Sequence, residues 1–120
     1  MQKTIGQLEA EFTRAMVRFE KDYLGRGPTN ARSYIIDDMI LVRLEGMLTP
    51  AEQKLSENNH KLVKETRRQL FELSRPFLEE LVQSIFDAQI ISLHTDMSSK
   101  TGERVVVLTL DTNLNKKFSA

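Results

Sequence analysis

The sequence predicts an α+β fold: a four-stranded antiparallel sheet made of two hairpins, with long helices packed on one face. Three observations predict it. Alternating apolar segments occupy 31–45 and 88–111, and each is interrupted by a polar tip of the kind that joins antiparallel strands. Amphipathic stretches with helical spacing occupy 5–23 and 62–86. The chain runs helix, hairpin, helices, hairpin, without the strand-helix-strand alternation of a parallel sheet. Residues 4–111 read as a single domain and 112–120 as a flexible tail.

Ile5, Leu8, Phe12, Ala15 or Met16, Phe19 and Tyr23 recur at three- and four-residue steps with charged residues mostly between them, which is the pattern of a helix with one buried face. Thr4 and Gln7 have capping-box spacing, and Gly25 supplies a left-handed stop. The run from Ala31 to Glu45 then alternates around Asp37-Asp38, predicting two paired strands. Thr49-Pro50-Ala51-Glu52 marks the next helix start: an N-cap hydroxyl, a proline that needs no amide donor in the first turn, and a glutamate reaching back. Polar Ser56 to His60 can break that helix. Leu62, Thr66, Leu70, Leu73, Phe77, Leu81 and Ile85 trace one face of a further helix from about Asn59 to about Phe86, with a kink expected at Pro76. Two strands, 88–95 and 104–111, complete the set across a polar link containing Gly102.

A chain of 120 residues supports one core. Its 17 basic and 17 acidic residues leave no overall field to draw in nucleic acid, and no nucleic-acid partner is expected. The absence of cysteine removes disulfides, thiolate catalysis and cysteine-based metal sites. The longest aliphatic run, Val105-Val106-Val107-Leu108, is far short of the ~20 apolar residues of a membrane span. The amino terminus lacks a secretory apolar region, which places the protein in the cytoplasm as an expectation.

Candidate chemistry is sparse. Gly25-Arg26-Gly27-Pro28 superficially suggests an anion loop built on Arg26, but it follows a helix and opens a strand, the reverse of a phosphate loop. His94 and Asp96 share a strand face, yet two ligands make a poor metal site. Asp37-Asp38 reads as a turn. Lys61, Lys64, Arg68 and Arg75 lie on one helical stripe with Arg67 beside it, the most concentrated positive surface in the chain. Arg26, Lys64, Arg67, Arg68 and Arg75 are therefore the candidates for a ligand or partner contact. No catalytic, cofactor-binding or metal-binding residue is named, and no cofactor is expected.

Strand apolarity says more. Val106, Leu108 and Leu110 point one way while Val105 and Val107 point the other, so a sheet covered on one side only would leave valines in water. The helical stripe also widens at Phe77, Leu78, Leu81, Val82, Ile85 and Phe86. Together these predict at least a homodimer, with Val82, Val105 and Val107 as candidate contact residues.

Gly25-Arg26-Gly27-Pro28, Leu44-Glu45-Gly46-Met47-Leu48-Thr49-Pro50-Ala51-Glu52, Leu62-Val63-Lys64-Glu65-Thr66-Arg67-Arg68, and His94-Thr95-Asp96 with Lys100-Thr101-Gly102-Glu103 carry a family resemblance. Over about Ile5 to Asp111 the chain resembles a bacterial domain-of-unknown-function family. That family is similar to the C component, MpsC, of a sodium-translocating membrane-potential-generating system. The resemblance implies a partner of a membrane system linked to cation flux, membrane potential and inorganic-carbon uptake, peripheral to the inner face of the membrane through another subunit. It transfers no catalytic residue.

Two readings follow. The first is a non-enzymatic accessory or regulatory protein of such a transport system, acting through protein contacts. The second is a cytoplasmic sensor or small-anion-binding module unrelated to transport. An enzyme ranks third, because no placed nucleophile and base can be named.

Overall fold

Local signals set most of the element ends in the structure, a computed structural model that describes residues 2–118. Helix α1, Ile5–Leu24, opens on a complete capping box: Gln7 N donates to Thr4 Oγ1 at 3.1 Å and Thr4 N to Gln7 Oε1 at 2.9 Å. It closes on Gly25 at φ 80°. Strands β1, Asn30–Ile36, and β2, Met39–Glu45, form a hairpin in which Ile36 pairs with Met39. Asp37 takes φ 56° in the turn, a conformation a short polar side chain tolerates better than a branched one.

Helix α2, Pro50–Leu73, begins at Thr49 with a second capping box, Glu52 N to Thr49 Oγ1 at 3.1 Å and Thr49 N to Glu52 Oε1 at 2.9 Å. Its interior is broken at Asn59, whose φ of −150° and ψ of 73° are not helical. Asn59 Oδ1 caps the second arm by accepting from Leu62 N at 3.2 Å. Helix α3 spans Arg75–Phe86, strand β3 Ile90–Met97, strand β4 Arg104–Leu110, and a one-turn helix α4 Leu114–Lys117.

The sheet is antiparallel throughout, in the order β1-β2-β4-β3, so β1 and β3 are its edges. The α+β class is thus as predicted. One face carries Ser33, Ile35, Ile40, Val42, Leu44, Val106, Leu108 and Leu110, all buried, against Leu8, Phe12 and Met16 of α1 and Leu78, Val82 and Phe86 of α3. Phe12 and Phe86 meet at 5.5 Å between ring centroids in the middle of that layer.

Three expectations need correction. The helix expected from Asn59 to Phe86 is two helices, parted at Ser74 rather than at Pro76. Pro76 occupies the first turn of α3, where no amide donor is required, while its ring would press on the carbonyl four residues back had α2 continued. The buried helical face is also one residue out of phase with the expected one. Val63, Arg67, Phe71, Leu78, Val82 and Phe86 are buried, whereas Leu62, Leu73 and Phe77 are exposed. An arginine at a core position is what hid the true face from a search for apolar residues.

The expected tail at 112–120 is instead anchored over its described part. Asn113 caps α4 and Leu114 is fully buried. Leu114 N donates to Asp37 O at 2.8 Å, and Phe118 packs edge-on against Phe86. Residues 119–120 lie outside the described residues.

Candidate functional site

Three core-facing periodicities each end on, or pass through, a charged residue. Glu20 continues the α1 series Leu8, Phe12, Met16; Arg67 sits between Val63 and Phe71 on α2; Arg104 begins the inward series Val106, Leu108, Leu110 on β4. All three are buried. They converge because α1, the second arm of α2 and β4 are packed around the same end of the sheet, where Glu20, Arg67, Phe71, Ser74 and Arg104 bound a cavity of 10 Å³, the size of about one water molecule.

Arg67 is the best satisfied of the three. Its Nε donates to Glu52 Oε2 at 2.7 Å, and its Nη2 to Glu52 Oε1 at 2.5 Å and to Met47 O at 2.7 Å. Burial raises the Glu52 pKa, but the hydrogen bonds from Arg67 and from Thr49 outweigh it and hold the carboxyl below its usual range. Arg104 donates from Nη1 to Thr95 Oγ1 at 2.8 Å and from Nη2 to Arg67 O at 3.3 Å, with its guanidinium 4.6 Å from the Phe71 ring centroid. Burial lowers its pKa, opposed by Glu20. Glu20 Oε1 has no hydrogen-bond partner among the described residues. Desolvation raises the Glu20 pKa despite the attraction of Arg104 and Arg67. The Ser74 hydroxyl in the cavity wall is committed to Phe71 O, and Arg104 joins β4 to α2 through its bond to Arg67 O.

Beside it, a cleft runs between the second arm of α2 and β3. One part, of 530 Å³, is lined by Arg68, Phe71, Glu72, Arg75, Leu93, His94 and Thr95. The next, of 300 Å³, includes Lys61, Lys64, Arg68, Asp96 and Arg104. The structure thus brings Lys64, Arg68 and Arg75 to one rim. It also compensates them: Lys64 lies 3.3 Å from Asp96, Arg68 bridges Glu65 and Glu72, and Arg75 is 3.3 Å from Glu79. The Arg68 hydrogen bond takes the Glu65 pKa down to about 2. Arg67 does not belong to that surface, because its side chain is turned into the core toward Glu52. Arg26 is exposed in the loop between α1 and β1, without an ion pair among the described residues.

The outer face of the sheet is apolar at its centre. Register places three rows across it: Arg32, Arg43, Val105, Asp96; then Tyr34, Leu41, Val107, His94; then Ile36, Met39, Thr109, Ser92. Tyr34 and Ile36 are exposed, while Leu41, Val105 and Val107 are half-buried by their neighbours in the sheet. Val105 and Val107 therefore do face outward. Val82 does not; it is wholly enclosed in the chain's own core and offers no surface to a second molecule. A second apolar patch lies on the helical side, where half-exposed Phe77 packs on Phe19 and Tyr23 at 5.9 and 6.2 Å, and Leu73 stands exposed at the end of α2.

Sequence reasoning missed Glu20 and Arg104. Their phase with the buried residues of their own elements was the available signal, and a rule that admits only apolar side chains to a core face discards it. Among the described residues, no group of three acidic or histidine side chains is placed to hold a metal ion, and no helix is long and apolar enough to cross a membrane.

The fold is thus an α+β domain with three charged residues in its core and two apolar patches on its surface. The chain belongs to the MpsC family, described as the Na+-translocating membrane potential-generating system, whose family model matches residues 4–112. It is 41% identical over 120 residues to the uncharacterized protein YbcI of Bacillus subtilis (strain 168), with 98% of this chain and 97% of that protein aligned. No solved structure matches the chain.

Proposed function

We propose that this protein is a non-enzymatic accessory or regulatory component of a membrane cation and inorganic-carbon transport system that generates membrane potential. In this reading it works in the cytoplasm, held at the inner face of the membrane by protein contact, and the transport steps belong to other subunits. Family membership supports the system. The observation that carries the mode of action is the pair of apolar surfaces on opposite sides of the molecule: the outer face of the sheet, and the Tyr23, Leu73 and Phe77 patch on the helical layer. Exposed apolar groups gathered in patches mark contact sites, whereas isolated ones do not.

Affinity capture from native membranes with mass spectrometry tests the reading. A multi-spanning transport subunit is expected with the wild-type protein and is expected to be lost from a Leu73→Ser, Phe77→Ser variant that remains folded. Recovery of no membrane protein at all counts against it.

A further inference from the structure

The outer face of the sheet has a charge layout that selects its occupant. Its apolar centre, Leu41 and Val107, lies on the two central strands, and its outward charges lie to one end of that centre, with Arg32, Arg43 and Asp96 in one row and Glu45 beyond it. Arg32 is on edge strand β1 and Asp96 is in the same row on the opposite edge strand β3. Arg43 in that row is already engaged, at 2.6 Å from Glu103. Arg32 has no carboxylate partner among the described residues; its nearest polar contact is the Tyr34 hydroxyl at 3.5 Å. Asp96 touches Lys64 at 3.3 Å but keeps most of its side chain in water.

We infer that a second copy of this chain covers the outer face, related by a two-fold axis that runs parallel to the strands and passes between Leu41 and Val107. This rests on the reading above only in taking that face as a protein contact. A rotation of this kind exchanges the edges and keeps the rows in place. It seats β1 over β3 of the partner and β2 over β4, so Leu41 lies opposite Val107, Tyr34 opposite His94, and Arg32 opposite Asp96, each pairing made twice. The other in-plane axis, perpendicular to the strands, would exchange the rows and set Arg32 against Ile36 and Asp96 against Ser92 with no charge pairing, whereas along the strands only Arg43, held by Glu103 and Glu45, meets an aliphatic side chain, Val105. Aligned packing of two sheets tolerates a rotation of about 30° between their strands, and the length of an arginine side chain absorbs the displacement this causes at the corners. An isologous contact is the usual symmetric solution for a self-complementary face.

Charge exchange tests the arrangement. Arg32→Glu sets two like-charged pairs across the two-fold axis, and so does Asp96→Lys; both positions are exposed, so each variant is expected to fold with an unchanged circular dichroism spectrum. Sedimentation at micromolar concentration is expected to give a dimer for the wild type. Each variant alone is expected to dimerise at least about 10-fold more weakly, since like charges brought together in an interface cost several kcal/mol. An equimolar mixture of the two is expected to recover a dimer containing one of each. Only an axis along the strands makes both pairs attractive in that mixture. A wild-type protein of one-chain mass at every concentration overturns the inference, as does a mixture no tighter than its components or variants as tight as the wild type. A monomeric wild type that still captures a membrane subunit would remove the dimer and leave the accessory reading standing; a dimer that captures nothing would do the reverse.

Discussion

Glu52 and Arg67 are bonded through both carboxylate oxygens although 15 residues separate them along one nominal helix. On a straight helix that separation would be about 22 Å, more than two side chains can span. The break at Asn59 therefore folds α2 back on itself, and the ion pair closes the two arms. Because Glu52 is also the capping-box partner of Thr49, one carboxylate fixes the start of α2 and its reversal, while Arg67 ties the second arm to Met47 O of the preceding loop.

Arg67→Met should destabilise the domain by about 2 to 3 kcal/mol, less than the ~3–5 typical of a fully buried pair because the Glu52 side chain keeps 27% of its exposure. The contribution has a defined acid dependence. Folding lowers the Glu52 pKa, so the stabilisation is complete above the unfolded value near 4.5 and is lost as pH falls through the folded value. Urea titrations at pH 7 and pH 3.5 check both points: the gap between wild type and variant should shrink in acid, and a constant gap would show that the pair does not titrate with folding.

Glu20 should act in the opposite direction. Its folded pKa is raised by burial, so the ionised form burdens the native state at neutral pH and the burden lifts as pH falls through the folded value toward 4.5. Glu20→Gln preserves the shape and removes the charge. Its stability relative to the wild type is expected to be higher at pH 8 than at pH 5.5, measured as the difference between urea midpoints; a lower relative stability at pH 8 would mean that Arg104 depends on the carboxylate more than burial opposes it.

Thr49→Ala removes the hydroxyl that accepts from Glu52 N, and should cost about 1 kcal/mol in a denaturant titration. A midpoint equal to that of the wild type would contradict the capping geometry.

Two glycines make a matched pair. Gly46 has φ 71° and a β-carbon there would sit 2.3 Å from Thr29 Oγ1, whereas Gly6 lies in α1 with nothing within 4 Å of the equivalent position. Gly46→Ala is expected to destabilise by at least about 1 to 2 kcal/mol through left-handed backbone strain, and Gly6→Ala to stabilise by about 0.5 to 1 kcal/mol through helix propensity. Thermal unfolding of the two variants side by side should move the midpoint in opposite directions.

Thr4, Gly25, Thr49 and the Asp37-Asp38 turn were legible because each acts on backbone groups within a few residues of itself, and a cap or turn needs no knowledge of the rest of the chain. The alternation of Val105 and Val107 against Val106 and Leu108 likewise announced a sheet with two apolar faces. The buried face of α2 was not legible, because its central residue is Arg67, and an arginine enters a core only when tertiary contacts supply Glu52 and the Met47 carbonyl to meet it. Val82 lies in the core rather than at a contact surface for a related reason: a widened apolar stripe shows how much of a helix is covered but not by what, and here α1 and the sheet cover it.

By itself the sequence determined the fold class, the caps, the hairpins and the family. Only the tertiary structure decided the strand order β1-β2-β4-β3, the reversal at Asn59, the meeting of Glu20, Arg67 and Arg104, and the placing of Arg32 and Asp96 on opposite edges of one row. The division is one of range. Caps, turns and side-chain alternation depend on neighbours in the chain, whereas strand order and buried charge depend on which distant segments desolvate one another, and that free energy is set by the packed whole.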